Sequence, residues 1–222
     1  MVGEASAETE QWLKQLVRPV KGYPNPDFVF GDITPLLANG AALATVIDAL
    51  AARYAPLGLC AVAAPEARGF FFGPPLAARL GVGFLPIRKK GQLPGAAHSA
   101  SCAMDYGDRE LELHRAVLPS GGDASSKRVV VVDDILATGG SALACVELLR
   151  ELGLEPCEVA VVFDFSDGDS KLEGKARLEK AGVSVFKCAS FCKSGDMEWW
   201  RERGSDDDVV VSPHMGKMNK QH

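Results

Sequence analysis

The chain has 222 residues, 47% of them hydrophobic and 24% charged, and a formal net charge of -5. Such a composition fits a soluble globular domain, and no apolar run approaches the ~20 residues that a membrane-spanning helix needs. The acidic balance leaves no basic footprint for nucleic acid, so any anion bound is expected to be small and held by a local site.

The six cysteines, Cys60, Cys102, Cys145, Cys157, Cys188 and Cys192, form no CxxC pair and have no zinc spacing. They read as buried thiols of a reducing compartment. The acidic segment Met1 to Glu10 is neither a secretory signal nor a transit peptide, and Lys220-Gln221-His222 is not a peroxisomal address. Cytoplasm is the expected location.

In chain order, Trp12, Leu13, Leu16 and Val17 recur at helical spacing and predict a short amphipathic helix ending before Gly22 and Pro24. The prolines of Tyr23-Pro24-Asn25-Pro26-Asp27 then predict a loop. Ala41 to Tyr54 has helical period, Leu59 to Ala64 suits a buried strand, Gly73 to Leu80 a helix and Gly83 to Ile87 a second strand. Arg88 to Gly95 carries three bases, two glycines and a proline, and reads as a mobile connection.

Between His98 and Leu118, the alternation Glu110-Leu111-Glu112-Leu113-His114 suggests a half-exposed strand, and Gly121 to Lys127 a polar turn. Arg128 to Val132 reads as a buried strand, Asp133 to Gly140 as a loop and Ser141 to Leu152 as a helix. A strand at Val159 to Phe163, a helix through Leu178 and a strand at Val183 to Cys188 complete an α/β alternation, which implies a doubly wound, mainly parallel sheet. After Phe191 the pattern fails, and the tail is expected to dock partly and end in disorder.

The run Asp133-Asp134-Ile135-Leu136-Ala137-Thr138-Gly139-Gly140-Ser141 falls where a strand gives way to a helix, which is where open α/β sheets bind ligands. Small residues let backbone N–H groups approach an anion at the positive end of a helix, and Thr138 and Ser141 add hydroxyl donors. Two adjacent aspartates at a strand end repel each other unless a sugar diol or a magnesium-chelated substrate engages them. On residue type alone they could also be solvated carboxylates ahead of a helix cap.

This run resembles the signature of the type I phosphoribosyltransferases, and the paired aspartates with Ala-Thr-Gly-Gly resemble the adenine branch of that family. Three further segments match in the family's order, so the resemblance spans about Tyr23 to Phe191. Tyr23 to Pro35 resembles the hood over the base, and Ala67 to Pro74 the pyrophosphate loop with its following helix. Ile87 to Gly95 resembles the flexible catalytic loop, with Asp105-Tyr106-Gly107 as a carboxylate-tyrosine pair near it. The implied fold is a twisted, mainly parallel sheet flanked by helices with a small hood. The implied organisation is helix and hood over residues 1–35, core over 36–191 and a partly disordered extension over 192–222.

The resemblance implies transfer of phosphoribose from phosphoribosyl pyrophosphate to adenine, as in purine salvage. Asp133 and Asp134 would contact the ribose hydroxyls, and Ala137, Thr138, Gly139, Gly140 and Ser141 the 5-phosphate. Arg68, Arg88 and Lys89 would hold pyrophosphate, with a cis peptide expected between Glu66 and Ala67. Val29, Phe30 and Gly31 would bound the base, with Phe165 closing its other face. Asp105 would handle the base proton and Arg68 would stabilise the leaving group, making these the candidate catalytic residues. Arg88, Lys89, Lys90, Gly91, Gln92 and Tyr106 would belong to the closing loop. Magnesium would arrive on the substrate, near Asp133 and Asp134, with no direct protein ligand set. A homodimer is implied, in which Arg88 approaches the partner's pyrophosphate.

Without the resemblance, Arg68 could equally form a surface salt bridge, Asp105 a turn, and the basic loop a solvated surface. Phe70, Phe71 and Phe72 read as core. Gly31, Gln92 and Asp105 stand where the family commonly has arginine, lysine and glutamate. These departures leave open a second reading, a phosphoribosyl-pyrophosphate-binding protein with weak or no catalysis. Transfer to hypoxanthine or guanine is a third, disfavoured by the hood and the aspartate pair.

Overall fold

The computed structural model describes residues 6–23, 29–94, 97–104, 107–114, 126–166, 172–191 and 195–203, with backbone alone over the described part of 97–109. In chain order these are α1 (Ala7–Gln15), β1 (Arg18–Lys21), β2 (Val29–Asp32), α2 (Thr34–Ala38), α3 (Gly40–Tyr54), β3 (Ala61–Pro65), α4 (Gly73–Leu80) and β4 (Gly83–Lys89). There follow β5 (Ala97–Met104), β6 (Gly107–His114), β7 (Arg128–Leu136), α5 (Gly140–Glu151), β8 (Glu155–Asp164), α6 (Gly174–Lys180), β9 (Ser184–Ser190) and α7 (Asp196–Glu202).

Seven strands make one sheet in the order β5-β6-β4-β3-β7-β8-β9, parallel from β4 to β9 and antiparallel where β6 meets β4 and β5. Alternation along β7 explains its two cores. Val130 and Val132 pack with Val46 and Leu50 of α3 and Leu76 of α4 on one face. Val129 and Val131 pack with Val146 and Leu149 of α5 and Leu178 of α6 on the other. A strand covered on both sides needs apolar residues at every position, which is why Val129 to Val132 is a continuous run.

Two helices start at side-chain caps. Ser6 accepts the Thr9 amide at 3.2 Å ahead of α1, and Asn39 accepts the Ala42 amide at 3.1 Å ahead of α3. Gly81, at φ 68°, ends α4 in the left-handed region that favours glycine.

Several expectations are corrected. Val29, Phe30 and Gly31, for which no strand was expected, form β2, which pairs antiparallel with β1 through Val20↔Phe30 and Pro19↔Gly31. A two-stranded ribbon tolerates Pro19 because a missing amide matters little at an edge. Arg88 and Lys89 continue β4, paired to Glu112 and Leu111 of β6. Asp133 to Leu136 continue β7, held in register against Val161, Phe163 and Asp164 of β8.

Glu112, expected on a half-exposed strand, is buried, and so is Phe72, whereas Phe71 is exposed. Cys60, Cys145 and Cys188 are buried free thiols and Cys157 is partly exposed. The side chains of Cys102 and Cys192 fall outside the described residues, as does the proline-rich stretch after Tyr23. The tail forms α7 with Met197 and Trp200 buried, and 204–222 lie outside the described residues.

Candidate active site

The chain passes from β3 to β4 on one side and returns to β7 on the other, so the strand order reverses between β3 and β7. Crevices at the carboxyl ends of such strands are where open α/β sheets bind ligands. Arg68 follows β3 and the aspartate pair ends β7, which puts both at this crevice.

The turn Arg68–Phe71 lies flush on β7. A Cβ at Gly69 would come 2.8 Å from Val132 O, so only glycine permits this approach. The peptide between Glu66 and Ala67 is cis, as the resemblance implied. Arg68 Nε then stands 3.1 Å from Asp134 Oδ2. The pair is matched in charge but not aligned for hydrogen bonding, and Asp134 Oδ2 accepts no hydrogen bond among the described residues. The same guanidinium lies 5.0 Å from the Phe30 ring centroid and donates to Gly31 O at 3.5 Å. Arg68 therefore joins the hood ribbon to the end of β7, and the surface-salt-bridge alternative is set aside.

Burial, and next the charge of Asp134, hold the Asp133 carboxyl well above the usual carboxylate range. Burial raises Asp134 as well, against the pull of Arg68. Two carboxylates this close in a poorly solvated place favour a bound proton or cation. A cation carried on a substrate fits them, since one buried oxygen receives no donor. Among the described residues no group of three or more His, Cys, Asp or Glu side chains could hold a metal ion by itself.

Beyond the aspartates, Gly139 precedes α5 in the left-handed region, at φ 77°, and offers no side-chain cap. The first-turn amides of α5 are thus not capped by their own sequence, the condition under which a helix start receives an anion. Gly139 is pressed against Gly174 at the start of α6, where a Cβ on Gly139 would sit 2.8 Å from Gly174 Cα. A Cβ on Gly174 would collide with Ala137 O. Gly174 N donates to Ala137 O at 3.0 Å, and Arg177 Nη1 donates to Thr138 O at 2.9 Å. Sequence reasoning missed Gly174 and Arg177, which hold the loop at Ala137 and Thr138 from a distant helix.

Glu66 and Glu112 were missed too. Glu66 Oε2 accepts Arg88 Nε at 2.7 Å and the Lys89 amide at 3.2 Å, and the Arg88 contact chiefly holds its carboxyl below the usual range. Arg88 is thus drawn to Glu66 within its own chain. Buried Glu112 accepts the amides of Gln92 and Leu93 at 3.0 and 2.8 Å, and Lys90 pairs with Glu110 at 2.6 Å. Gly91 turns at φ 80°. A loop expected to be free is tied to β6 at its middle.

Phe165 lies inside an aromatic stack, 4.3 Å from Phe191 and nearly parallel to it. Asp105 and Tyr106 lie outside the described residues.

Comparison with known proteins agrees with this geometry. The model of the phosphoribosyl transferase domain matches residues 33–208. An adenine phosphoribosyltransferase of Serratia proteamaculans is 41% identical over 187 residues, covering 84% of this chain and 90% of that one. The chain belongs to the adenine phosphoribosyltransferase family. Among solved structures, the Thermoanaerobacter pseudethanolicus adenine phosphoribosyltransferase shares 37% identity at a TM-score of 0.71, covering 82% of this chain and 99% of that one. The Saccharomyces cerevisiae family member, solved with adenine and an imino-altritol bisphosphate, shares 33% identity at a TM-score of 0.69, covering 82% and 99%.

Proposed function

We propose that this chain transfers the 5-phosphoribosyl group of phosphoribosyl pyrophosphate to adenine, yielding AMP and pyrophosphate for purine salvage. The observation that carries the reading is the meeting of Asp133, Asp134, Arg68 and the uncapped start of α5 at the switch between β3 and β7. Family membership at 41% identity supports catalysis and not the weakly active or inactive alternative.

A nitrogen of adenine attacks the anomeric carbon, the carbon to pyrophosphate bond breaks, and pyrophosphate leaves with the electron pair. The base proton must then be taken up. The protein's task is to stabilise a highly charged leaving group at an oxocarbenium-like centre. In this reading Ala137 to Ser141 cradle the 5-phosphate and Asp133 and Asp134 accept from the ribose hydroxyls. Arg68, with Arg88 and Lys89, faces the pyrophosphate. Substrate-borne magnesium would supply further positive charge beside the aspartate pair.

Val29, Phe30 and Gly31 line the base site and Phe165 backs it. Asp105 is the candidate acceptor of the base proton. The loop from Arg88 to Gly95, with Tyr106, excludes water once substrate is bound. A homodimer in the cytoplasm completes the reading. No helix among the described residues is long and apolar enough to cross a membrane.

The test is purified protein with adenine, magnesium and phosphoribosyl pyrophosphate, read as AMP formed. AMP at turnover above the no-enzyme control is expected. Its absence, while the protein still binds phosphoribosyl pyrophosphate, would overturn the catalytic reading. Competition with hypoxanthine and guanine reads the base preference.

A further inference from the structure

After β9 the chain turns through Gly195, at φ 86°, into α7, and three contacts fasten that helix to the N-terminal part of the chain. Lys14 of α1, its side chain 2% exposed, lies 2.8 Å from Asp196 Oδ2 and 5.4 Å from the Phe191 ring centroid. Trp200 Nε1 donates to Val17 O at 3.0 Å. Arg203 Nη2 reaches Gln15 O at 3.5 Å. Lys14 also pairs with Glu10 Oε1 of its own helix at 3.4 Å, and Asp196 is the nearer partner, the one that ties α7 to α1.

What α7 touches is the set of residues read above as the base site. The Trp200 ring stands edge-on to Phe165 at 5.0 Å and to Phe191 at 5.8 Å. Its Cζ2 is 3.8 Å from where a Cβ would lie on Gly31, and Val17 Cγ1 is 3.5 Å from the same point. Gly31 pairs with Pro19, and Phe165 N donates to Leu136 O at the end of β7. One indole thus bears on the hood ribbon, on the segment leading into it and on the aromatic residue beyond β8.

We propose that Trp200 is a positioning residue for adenine, and that α7, clamped by Lys14 and Asp196, sets the distance between the hood ribbon and Phe165. The proposal rests on the reading that Val29 to Gly31 and Phe165 bound the base. Trp200 does not touch the base in this scheme. It holds the two walls at the separation that a flat purine needs.

Trp200→Phe keeps an aromatic ring but removes the donor to Val17 O, and Asp196→Asn weakens the clamp from the far side of α7. Each variant should raise KM for adenine roughly fivefold to tenfold, the effect of one hydrogen bond or ion pair lost from a supporting contact. KM for phosphoribosyl pyrophosphate should stay within about twofold and kcat should change less than KM. Asp196→Glu, which retains the charge, should restore most of the adenine affinity.

A merely structural α7 would lower the yield of active protein and leave both KM values unchanged. That outcome in both variants overturns the proposal, as would parallel rises in both KM values. If Trp200→Phe does not fold, Asp196→Asn with its Glu rescue decides the matter alone. Phe30→Ala separates this idea from the reading beneath it. A raised adenine KM in Phe30→Ala with none in Trp200→Phe or Asp196→Asn defeats the role of α7 only. An unchanged adenine KM in Phe30→Ala defeats the placement of the base.

Discussion

Two carboxylate sites lie on the neighbouring strands β7 and β8 of the same sheet, and their donors set them apart. Near the start of β8, Glu158 accepts Tyr54 Oη at 2.8 Å, Arg53 Nε and Nη2 at 3.1 and 3.0 Å, and Ser184 Oγ at 3.0 Å. Burial pushes its carboxyl up, but donors from Arg53, Tyr54 and Ser184 together outweigh burial and hold it below the usual range. At the far end of β7, Asp133 and Asp134 have one neighbouring guanidinium, no aligned donor to Asp134 Oδ2, and carboxyls held above the usual range by burial first. Burial of a carboxylate therefore means little without its donors. The satisfied site ties α3 to β8 and β9, and the under-donated one holds free energy in reserve for a ligand.

The contrast can be broken most sharply at Gly174. Gly174→Ala drives a methyl into Ala137 O and must move the phosphate loop. A displacement near 1 Å in such a site costs on the order of 10²-fold in rate. Steady-state kinetics should show that loss in kcat/KM for phosphoribosyl pyrophosphate, and near-wild-type values would mean that the loop does not hold the phosphate.

Asp133→Asn should give the opposite signs for activity and stability. On the proposed placement, losing a charged hydrogen bond to the sugar would remove about 1.5–3 kcal/mol, roughly tenfold to a hundredfold in kcat/KM. The folded protein binds the Asp133 proton more tightly than the unfolded chain does. Stability therefore falls as pH rises from the unfolded carboxylate value, about 3.9, toward the raised folded one. The variant escapes this penalty and should melt higher than wild type at neutral pH without ligand. A lower Tm would show that the carboxylate is satisfied after all.

Glu158→Gln sharpens the comparison from the other side, with no effect expected on kcat. Stability should drop by about 1.5–3 kcal/mol, or roughly 5–10 °C in Tm. Here the folded proton affinity is depressed, so the wild-type advantage exists above about pH 4.3 and is lost as pH falls through the folded value. Urea unfolding of both proteins at neutral and successively lower pH measures the difference, which should close on acidification.

The smallest effect is expected from Tyr54→Phe, which removes one of the four donors to Glu158 and leaves the ring in place. About 1 kcal/mol of stability should go, with activity intact.

The parts of this molecule that follow local rules were legible in the sequence. A run of four valines reads as a buried strand, which β7 is, and the helices α3, α4 and α5 fell within a residue or two of their periodicity. What escaped was set by distant partners. The four-residue strands β1 and β2 carry too few residues to show alternation, and their pairing is visible only when Pro19 meets Gly31. α7 spans seven residues with two buried, which no window distinguishes from a frayed tail. Glu112 sits in a regular alternation that suggests solvent, yet it is buried because the amides of Gln92 and Leu93 fold back on it. At the site, Asp133, Asp134 and the loop after them were read from their own run. Gly174 and Arg177 had no local sign, since their roles come from packing against a carbonyl some forty residues earlier.

Ala137 and Thr138 give their carbonyls to Gly174 and Arg177 of α6. With both oxygens engaged, the peptide planes around them are fixed and cannot flip between offering a carbonyl and offering an amide. On the proposed placement, a phosphate arriving there would meet a surface whose polarity was decided during folding, so encounter would need no backbone rearrangement and little reorganisation entropy would be lost on capture.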